Sequence, residues 1–356
     1  MTRSLFWEDI EAGAELPAIT HELSLLRLIA FVRATGLYDY VHFDRDYAQL
    51  VGARDVFIST PHVAGLFNRL LTDWTGPEGV LRSLSFSMNG QSCSGDLLTI
   101  TGRVDKKYRN EQGDFLVDVT GLTIGHTLLP NAATATATMA VPSRTQPKVR
   151  LVVPTAEKPA AKPGENIPDS IKSVLGKPKA IQRRIRPISA DAIHLLCEAL
   201  EDWNPLYWDK SYADKSAYGG IIAPPTANFF GIGSSVNVGL GYLKPGEQVP
   251  EPVKRGLTGL PLLQALRDVF LKENSAFKFA DYPEVVVAGM SAEYVRPVMT
   301  DDLLRVTQEI ADCSPLKKTK LGEGHFVTIL ENTYNQRDEL VKAFTKKAFY
   351  YRPSNC

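Results

Sequence analysis

Apolar residues recur at helical spacing in two distant parts of the chain. One is LSLLRLIAFVRATG, residues 23–36; the other is SADAIHLLCEALED, residues 189–202, with Ser189 placed to cap the helix start. Each is followed by a tail of strand-like alternation. The first tail reads SLSFSMN, DLLTITGRVDKKY, FLVDVTGLTI and TATATATMAV, broken by polar turns such as RNEQGD. The second reads VVVAGMSAEYVRP, DLLRVTQEIADC, HFVTILENTYNQ and KKAFYYR, with NQRDEL as a turn. Period-two alternation and β-branched residues predict strands in both tails. A helix followed by an antiparallel sheet, twice over, is an α+β layout. A sheet with one apolar face needs a cover, which a central helix supplies.

The repetition extends to local detail. After the first helix comes GLYDYVHFD, residues 36–44; after the second comes EDWNPLYWD, residues 201–209. Tyr47-Ala48 and Tyr212-Ala213 then follow, each leading through a glycine-containing turn and an apolar run to a proline-marked helix start. SGDLLTITGRV and TDDLLRVTQEI open matching strands. Between the halves, PSRTQPKVRLVVPTAEKPAAKPGENIPDS is rich in Pro, Lys and Ala and reads as a semi-extended linker. These signals divide the chain into 1–142, a linker over 143–169, and 170–356. The last piece carries an insertion at about 235–280 that includes an amphipathic LPLLQALRDVFLKE segment.

Composition narrows the function. The 356 residues are 44% hydrophobic and 22% charged, which suits a globular protein with a core in each half. Lys plus Arg equals Asp plus Glu, so nothing favours a nucleic-acid partner. No run of about 18 apolar residues predicts a membrane span, and the early acidic residues do not resemble a signal peptide. A cytoplasmic location is the simplest expectation. Cys93, Cys197, Cys313 and Cys356 share no short spacing, so free thiols are expected rather than a zinc or redox motif. His21, His62, His126, His194 and His325 show no metal-ligand spacing; packing is expected for His62. GIGSSVNVGLG, 231–241, lacks the strand context and spacing of a nucleotide loop.

The succession of helix, motif, Tyr-Ala, proline-marked helix and Gly-Asp-x-Leu strand start resembles the MaoC-like (R)-specific enoyl-CoA hydratases and dehydratases. The resemblance covers both halves and is similar to a fusion of the two subunit types of the heteromeric steroid side-chain enoyl-CoA hydratases. It implies a tandem, double hot-dog fold. Two antiparallel sheets would each wrap a central helix and join edge to edge as a pseudo-dimer. It also implies a site in which an Asp and a His five residues later hold one water, while a backbone N–H at the central helix start binds the thioester oxygen. That is acid–base catalysis beside an oxyanion hole.

Neither copy carries the full motif. In the first half His42 matches the histidine, Leu37 stands at the Asp position and Asp39 at the Asn position. In the second, Asp202, Asn204, Pro205 and Leu206 match, but Tyr207 replaces the histidine. A phenol titrating near about 10 is a poor base at neutral pH. Thr60 retains an N–H at the first helix start, whereas Pro225 has none at the second. The first copy is therefore the candidate active half, with His42 as acid/base and Asp39 as substitute carboxylate. Thr60, Tyr38, Asp202, Asn204 and Tyr207 are the expected substrate contacts.

The resemblance implies hydration or dehydration at the C2–C3 bond of a small-molecule acyl thioester. It implies no metal and no cofactor beyond the CoA carried by the substrate, and it is compatible with a homodimer of double hot-dogs. A weakened thioester-binding or stabilising partner is a second reading, because Leu37 cannot polarise water. A hot-dog thioesterase is a third, but STPHVAGLFNRL offers no carboxylate on the central helix.

Overall fold

The computed structural model describes residues 4–37, 39–50, 52–154, 167–183, 187–229, 279 and 281–353. In the first half, β1 (Ile19–Glu22) leads into α1 (Leu25–Thr35). Ser24 caps α1 by accepting from the Arg27 N–H, and Gly36, at φ 70°, ends it in a left-handed turn. A short 3-10 turn (Tyr40–His42) and α2 (Arg45–Leu50) follow, then α3 (Thr60–Thr75). The strands are β2 (Val80–Met88), β3 (Leu97–Arg109), β4 (Phe115–His126) and β5 (Leu129–Ala140).

The second half opens with α4 (Asp169–Lys172), β6 (Lys179–Arg183) and α5 (Ala190–Leu200), which Ser189 caps. It continues with α6 (Pro205–Trp208) and α7 (Lys210–Lys215). Its remaining strands are β7 (Glu284–Tyr294), β8 (Arg305–Cys313), β9 (Lys317–Lys318), β10 (Gly322–Tyr334) and β11 (Leu340–Pro353).

All these strands form one antiparallel sheet in the order β1-β3-β4-β5-β2-β7-β11-β10-β8-β6, with β9 paired to β10. The order is pseudo-symmetric about the β2–β7 junction. There Ser83, Leu84, Ser85 and Phe86 lie opposite Glu293, Ala292, Ser291 and Met290. This is the edge-to-edge hot-dog pair expected from the sequence. Pairing the two inner strands satisfies backbone groups that would otherwise face solvent.

The helix α3 is the first half's central helix. It is buried on nearly every face, from His62 to Leu71 with the exception of Arg69, because the sheet covers one side and α5 the other. Gly65 permits the second contact, since a Cβ there would lie 2.7 Å from Leu200 Cδ2. A single buried cluster consequently joins Leu66, Leu70 and Leu84 of the first half to Leu200, Leu206 and Leu304 of the second. A smaller cluster around Ile171, Ile310, Val327 and Ile329 closes the far end of the second half.

The short strands β1, β6 and β9 carry too little alternation to be read from sequence. LPLLQALRDVFLKE, the glycine-rich stretch at 231–241 and the insertion apart from Phe279 lie outside the described residues, as do Tyr38 and Cys356. Cys93, Cys197 and Cys313 are free and buried. Among the described residues no helix is long and apolar enough to cross a membrane.

Leu84 is fully buried at the junction. Leu84→Ala should lower the unfolding free energy by about 2–5 kcal/mol. Denaturant unfolding should remain one transition, because both halves share the affected core.

Candidate active site

The first copy of the motif is assembled around a turn and a helix start. Asp39 stands at the N-terminal end of the 3-10 turn, its carboxylate facing the Val41 N–H at a long 3.5 Å. The turn ends at His42, which is 8% exposed and packs edge-on against Phe57. His42 Nδ1 lies 2.7 Å from the Phe57 carbonyl oxygen. A carbonyl can only accept, so Nδ1 carries the proton in the neutral ring and Nε2 presents its lone pair. The Phe57 carbonyl belongs to the segment that enters α3 three residues later, so this bond fixes His42 beside the helix start.

Burial governs the ionisation of both groups. It lowers the His42 imidazole, against the pull of Asp39 and the Phe57 carbonyl. It raises the Asp39 carboxyl, against the pull of His42 and the Val41 N–H. Both shifts favour an uncharged acid beside an uncharged base. No ion pair within 4 Å joins them among the described residues.

At the start of α3, Thr60 is half-buried and its hydroxyl meets Met88 Sδ at 3.4 Å. Among the described residues, no backbone acceptor meets the Thr60 N–H. Ser59 Oγ is buried without a partner. A helix of 16 residues with a free N–H in its first turn is a suitable oxyanion donor. Leu37 is half-buried and supplies no polar group; its N–H donates to Thr35 Oγ1.

The second copy is enclosed. Asp202, Asn204 and Tyr207 are 0%, 8% and 2% exposed, and no described contact joins them to His42 or Thr60. They cover the middle of α3 instead. Asp202 Oδ1 accepts from the Asn204 N–H at 3.2 Å, Asn204 Oδ1 accepts from the Leu206 N–H, and Asp202 Oδ2 has no partner. The Asn68 amide of α3 faces Asp202 and Tyr207 without closing a hydrogen bond to either. Burial pushes the Asp202 carboxyl up to about 7, with Asp73 adding to the rise and the Asn204 N–H and Arg69 opposing it. Burial also raises the Tyr207 phenol, making it a still poorer base.

A charged cluster that sequence reasoning did not reach binds the two copies together. Glu201 of the second half ends α5 in the left-handed region at φ 54°. Its carboxylate meets Arg27 at 2.5 Å, Arg69 at 3.1 Å and His21 at 3.2 Å, all from the first half. His21, pulled down to about 4 chiefly by burial, packs edge-on against His62. His62 is fully buried, stacked on Phe31 at 4.2 Å and neutral, in keeping with a packing role. His21 and Glu201 are 180 residues apart, and neither carries a local motif.

A separate small pocket lies between Val80 and Leu81 of the first half and Ile222, Leu304 and Val341 of the second, and no described residue of the His42 site lines it. Among the described residues no three His, Cys, Asp or Glu side chains gather as a cation site.

Comparison with known proteins agrees with this architecture. Residues 179–344 match the family model described as FAS1-like, dehydratase domain region. The chain is 27% identical over 195 residues to the "Probable enoyl-CoA hydratase alpha subunit" of Thermomonospora curvata, covering 53% of each chain. It is 33% identical over 96 residues to the 3-oxo-4,17-pregnadiene-20-carboxyl-CoA hydratase beta subunit of Mycobacterium tuberculosis, covering 26% of this chain and 71% of that one. The chain thus spans about half the length of the alpha subunit it matches.

Among solved structures, a MaoC domain protein dehydratase from Chloroflexus aurantiacus superposes with a TM-score of 0.64 at 12% identity over 99% of both chains. A conserved Mycobacterium tuberculosis protein described as a double hot-dog gives 0.59 at 13% identity over 98% of both. The fold and motif order define a double hot-dog protein of the hydratase type. The chain belongs to the MaoC-like hydratase/dehydratase family.

The Asp202 carboxyl yields a pH test. Its folded value lies above its unfolded one, so the folded state holds the extra proton. The stability this group confers is present below about pH 4 and is lost as pH rises through about 7. Asp202→Asn removes the ionisation. The stability gap between variant and wild type should therefore widen in the variant's favour from pH 5 to pH 8, by about 2–3 kcal/mol. Thermal unfolding at both pH values measures this; a gap independent of pH contradicts it.

Proposed function

We propose that the protein is a hydratase/dehydratase acting at the C2–C3 bond of an acyl-CoA-like thioester, with its active site in the first half. The observation that carries this reading is the 2.7 Å contact between His42 Nδ1 and the Phe57 carbonyl. It sets the tautomer, leaves Nε2 as base and holds the ring beside the α3 start. In hydration, His42 Nε2 takes a proton from water while the hydroxyl oxygen bonds to C3. The C2=C3 pair moves towards the thioester, and the Thr60 N–H accommodates the negative oxygen. The Asp39 carboxyl, whose affinity for a proton is raised by burial, gives its proton to C2. Proton return from His42 to Asp39 restores the starting state, and the reverse sequence is dehydration.

The CoA thioester follows the names of the relatives, and the substrate in this reading is a small-molecule acyl thioester. Asp202, Asn204 and Tyr207 act through packing in this reading, shaping the pocket wall from behind α3. A homodimer of double hot-dogs in the cytoplasm belongs to the same proposal.

A second reading, a thioester-binding partner with weakened catalysis, is favoured by two observations. Leu37 leaves the motif's carboxylate position empty of charge, and Asp39 is directed at the turn's Val41 N–H. The readings separate on whether water moves.

The test is incubation with enoyl-CoA and 3-hydroxyacyl-CoA thioesters, followed by mass analysis for a gain or loss of water. His42→Ala should lower turnover about 10²-fold or more with little change in thioester binding. Asp39→Asn should show a large loss if Asp39 is the proton donor. Leu37→Asp should raise hydration of a crotonyl thioester, at some cost in stability from a half-buried carboxylate. Thioester binding without water transfer, unchanged in His42→Ala, would establish the binding-partner reading instead.

A further inference from the structure

The matching strand starts SGDLL and TDDLL each carry a buried aspartate that the proposed reaction does not use, Asp96 before β3 and Asp302 before β8. Each closes the same small frame. Asp96 Oδ2 accepts from the Cys93 N–H at 2.7 Å, and Asp302 Oδ2 accepts from the Met299 N–H at 2.8 Å. Cys93 lies opposite Phe57 in an antiparallel bridge, as Met299 lies opposite Ile222. The Phe57 N–H donates to the Val41 carbonyl and the Ile222 N–H to the Leu206 carbonyl, both at 3.2 Å. The residues that follow those two carbonyls are His42 and Tyr207. In both halves the carboxylate therefore stands at one end of a chain of contacts that reaches the motif at the other.

The copies differ at one link. In the first half Arg54 Nη2 donates to both Asp96 oxygens, at 2.8 and 2.6 Å. Counted back from the bridge, the place of Arg54 is taken in the second half by Gly219, which has no side chain to offer. Among the described residues Asp302 has no ion pair. The His126 Nδ1 lies 3.7 Å from Asp96 Oδ2, beyond hydrogen-bond reach, so Arg54 is the cation that completes this carboxylate. Arg54 is half-exposed, but Asp96 is 8% exposed, and a buried carboxylate that loses its cation is costly. The same carboxylate thus holds Arg54 on one side of Phe57 and the bridge partner of Phe57 on the other. It does so only in the half where the bridged carbonyl has an imidazole to hold, His42 Nδ1 at 2.7 Å.

We propose that Asp96, through Arg54 and the Cys93 N–H, is a positioning residue for His42, fixing the segment whose Phe57 carbonyl sets the tautomer of the ring. A carbonyl displaced by about 1 Å no longer holds the Nδ1 proton. The ring is then free to carry its proton on Nε2, which leaves no lone pair there for water. The consequence for turnover rests on the hydratase reading; the consequence for the ring does not.

The test reads the His42 imidazole in the resting full chain by nitrogen NMR, which separates a protonated ring nitrogen from a bare one, with His42→Ala to assign the signals. Turnover of an enoyl-CoA thioester is measured separately. Wild type should carry the proton on Nδ1 at neutral pH. Asp96→Asn and Arg54→Met should each move it towards Nε2, and Arg54→Lys, which keeps the charge, should restore part of the Nδ1 form. Asp302→Asn, the same change in the copy without the pair, should lower stability and leave the His42 signals in place. Asp96→Asn and Arg54→Met should lower kcat by about tenfold or more with little change in KM, as expected for a misplaced catalytic group. Arg54 is half-exposed, so Arg54→Met keeps the test decisive if Asp96→Asn does not fold. A wild-type ring protonated on Nε2, unaltered His42 signals in folded Arg54→Met, or an equal change in Asp302→Asn overturns the inference. If the variants shift the tautomer but the wild type moves no water, the hydratase reading falls and the positioning role stands. Unaltered signals in variants of a working hydratase give the reverse.

Discussion

A sheet edge with unpaired N–H and C=O groups must be paired, covered or blunted. Here β2 and β7 meet that requirement by pairing with each other. The rest of the architecture follows from this junction. It makes one sheet of two halves and sets them about a pseudo-twofold. It also brings α3 of the first half against α5 of the second, where Gly65 removes the side chain that would collide with Leu200. The shared core then contains residues from both halves, so neither half has a complete interior alone.

That arrangement has different consequences for the two motif copies. The second copy lies where α3 presses hardest, and Asp202 and Tyr207 are sealed. The first copy lies at the start of α3, where the Phe57 carbonyl three residues before Thr60 meets His42. Glu201 strengthens the asymmetry. It occupies the position that glycine fills in the first half, adopting a left-handed conformation that costs a non-glycine residue about 1–2 kcal/mol. Contacts with Arg27, Arg69 and His21 offset that strain. A glycine there would relax the backbone and lose all three cross-half contacts.

The sheet was legible in the sequence because its long strands alternate over nine or more residues and each half repeats the other. The short strands β1 and β6 were not, since their pairing with β3 and β8 depends on partners far along the chain. Around His42, the motif gave the residues but not their relation. Three-residue spacing placed Asp39 and His42 on one turn, yet only the fold shows the turn's N–H competing for the carboxylate. The partners of Glu201 had no local signal, because a cross-half cluster depends on the β2–β7 junction.

The replacement of the motif's carboxylate by Leu37 also has a physical reading. With no charge at 37, the carboxyl that acts on His42 is Asp39, whose pull opposes the lowering by burial. With an apolar residue at 37 and Asp39 raised by burial, the neutral imidazole is favoured together with a neutral acid. In the proposed hydration these two groups would be the base for water and the donor for C2. The penalty is orientation: among the described residues no ion pair locks Asp39 against His42, and the ring is held by the Phe57 carbonyl and by packing on the Phe57 ring. The weakened attraction within the pair and the shift of both groups towards their neutral forms thus arise from the same desolvation.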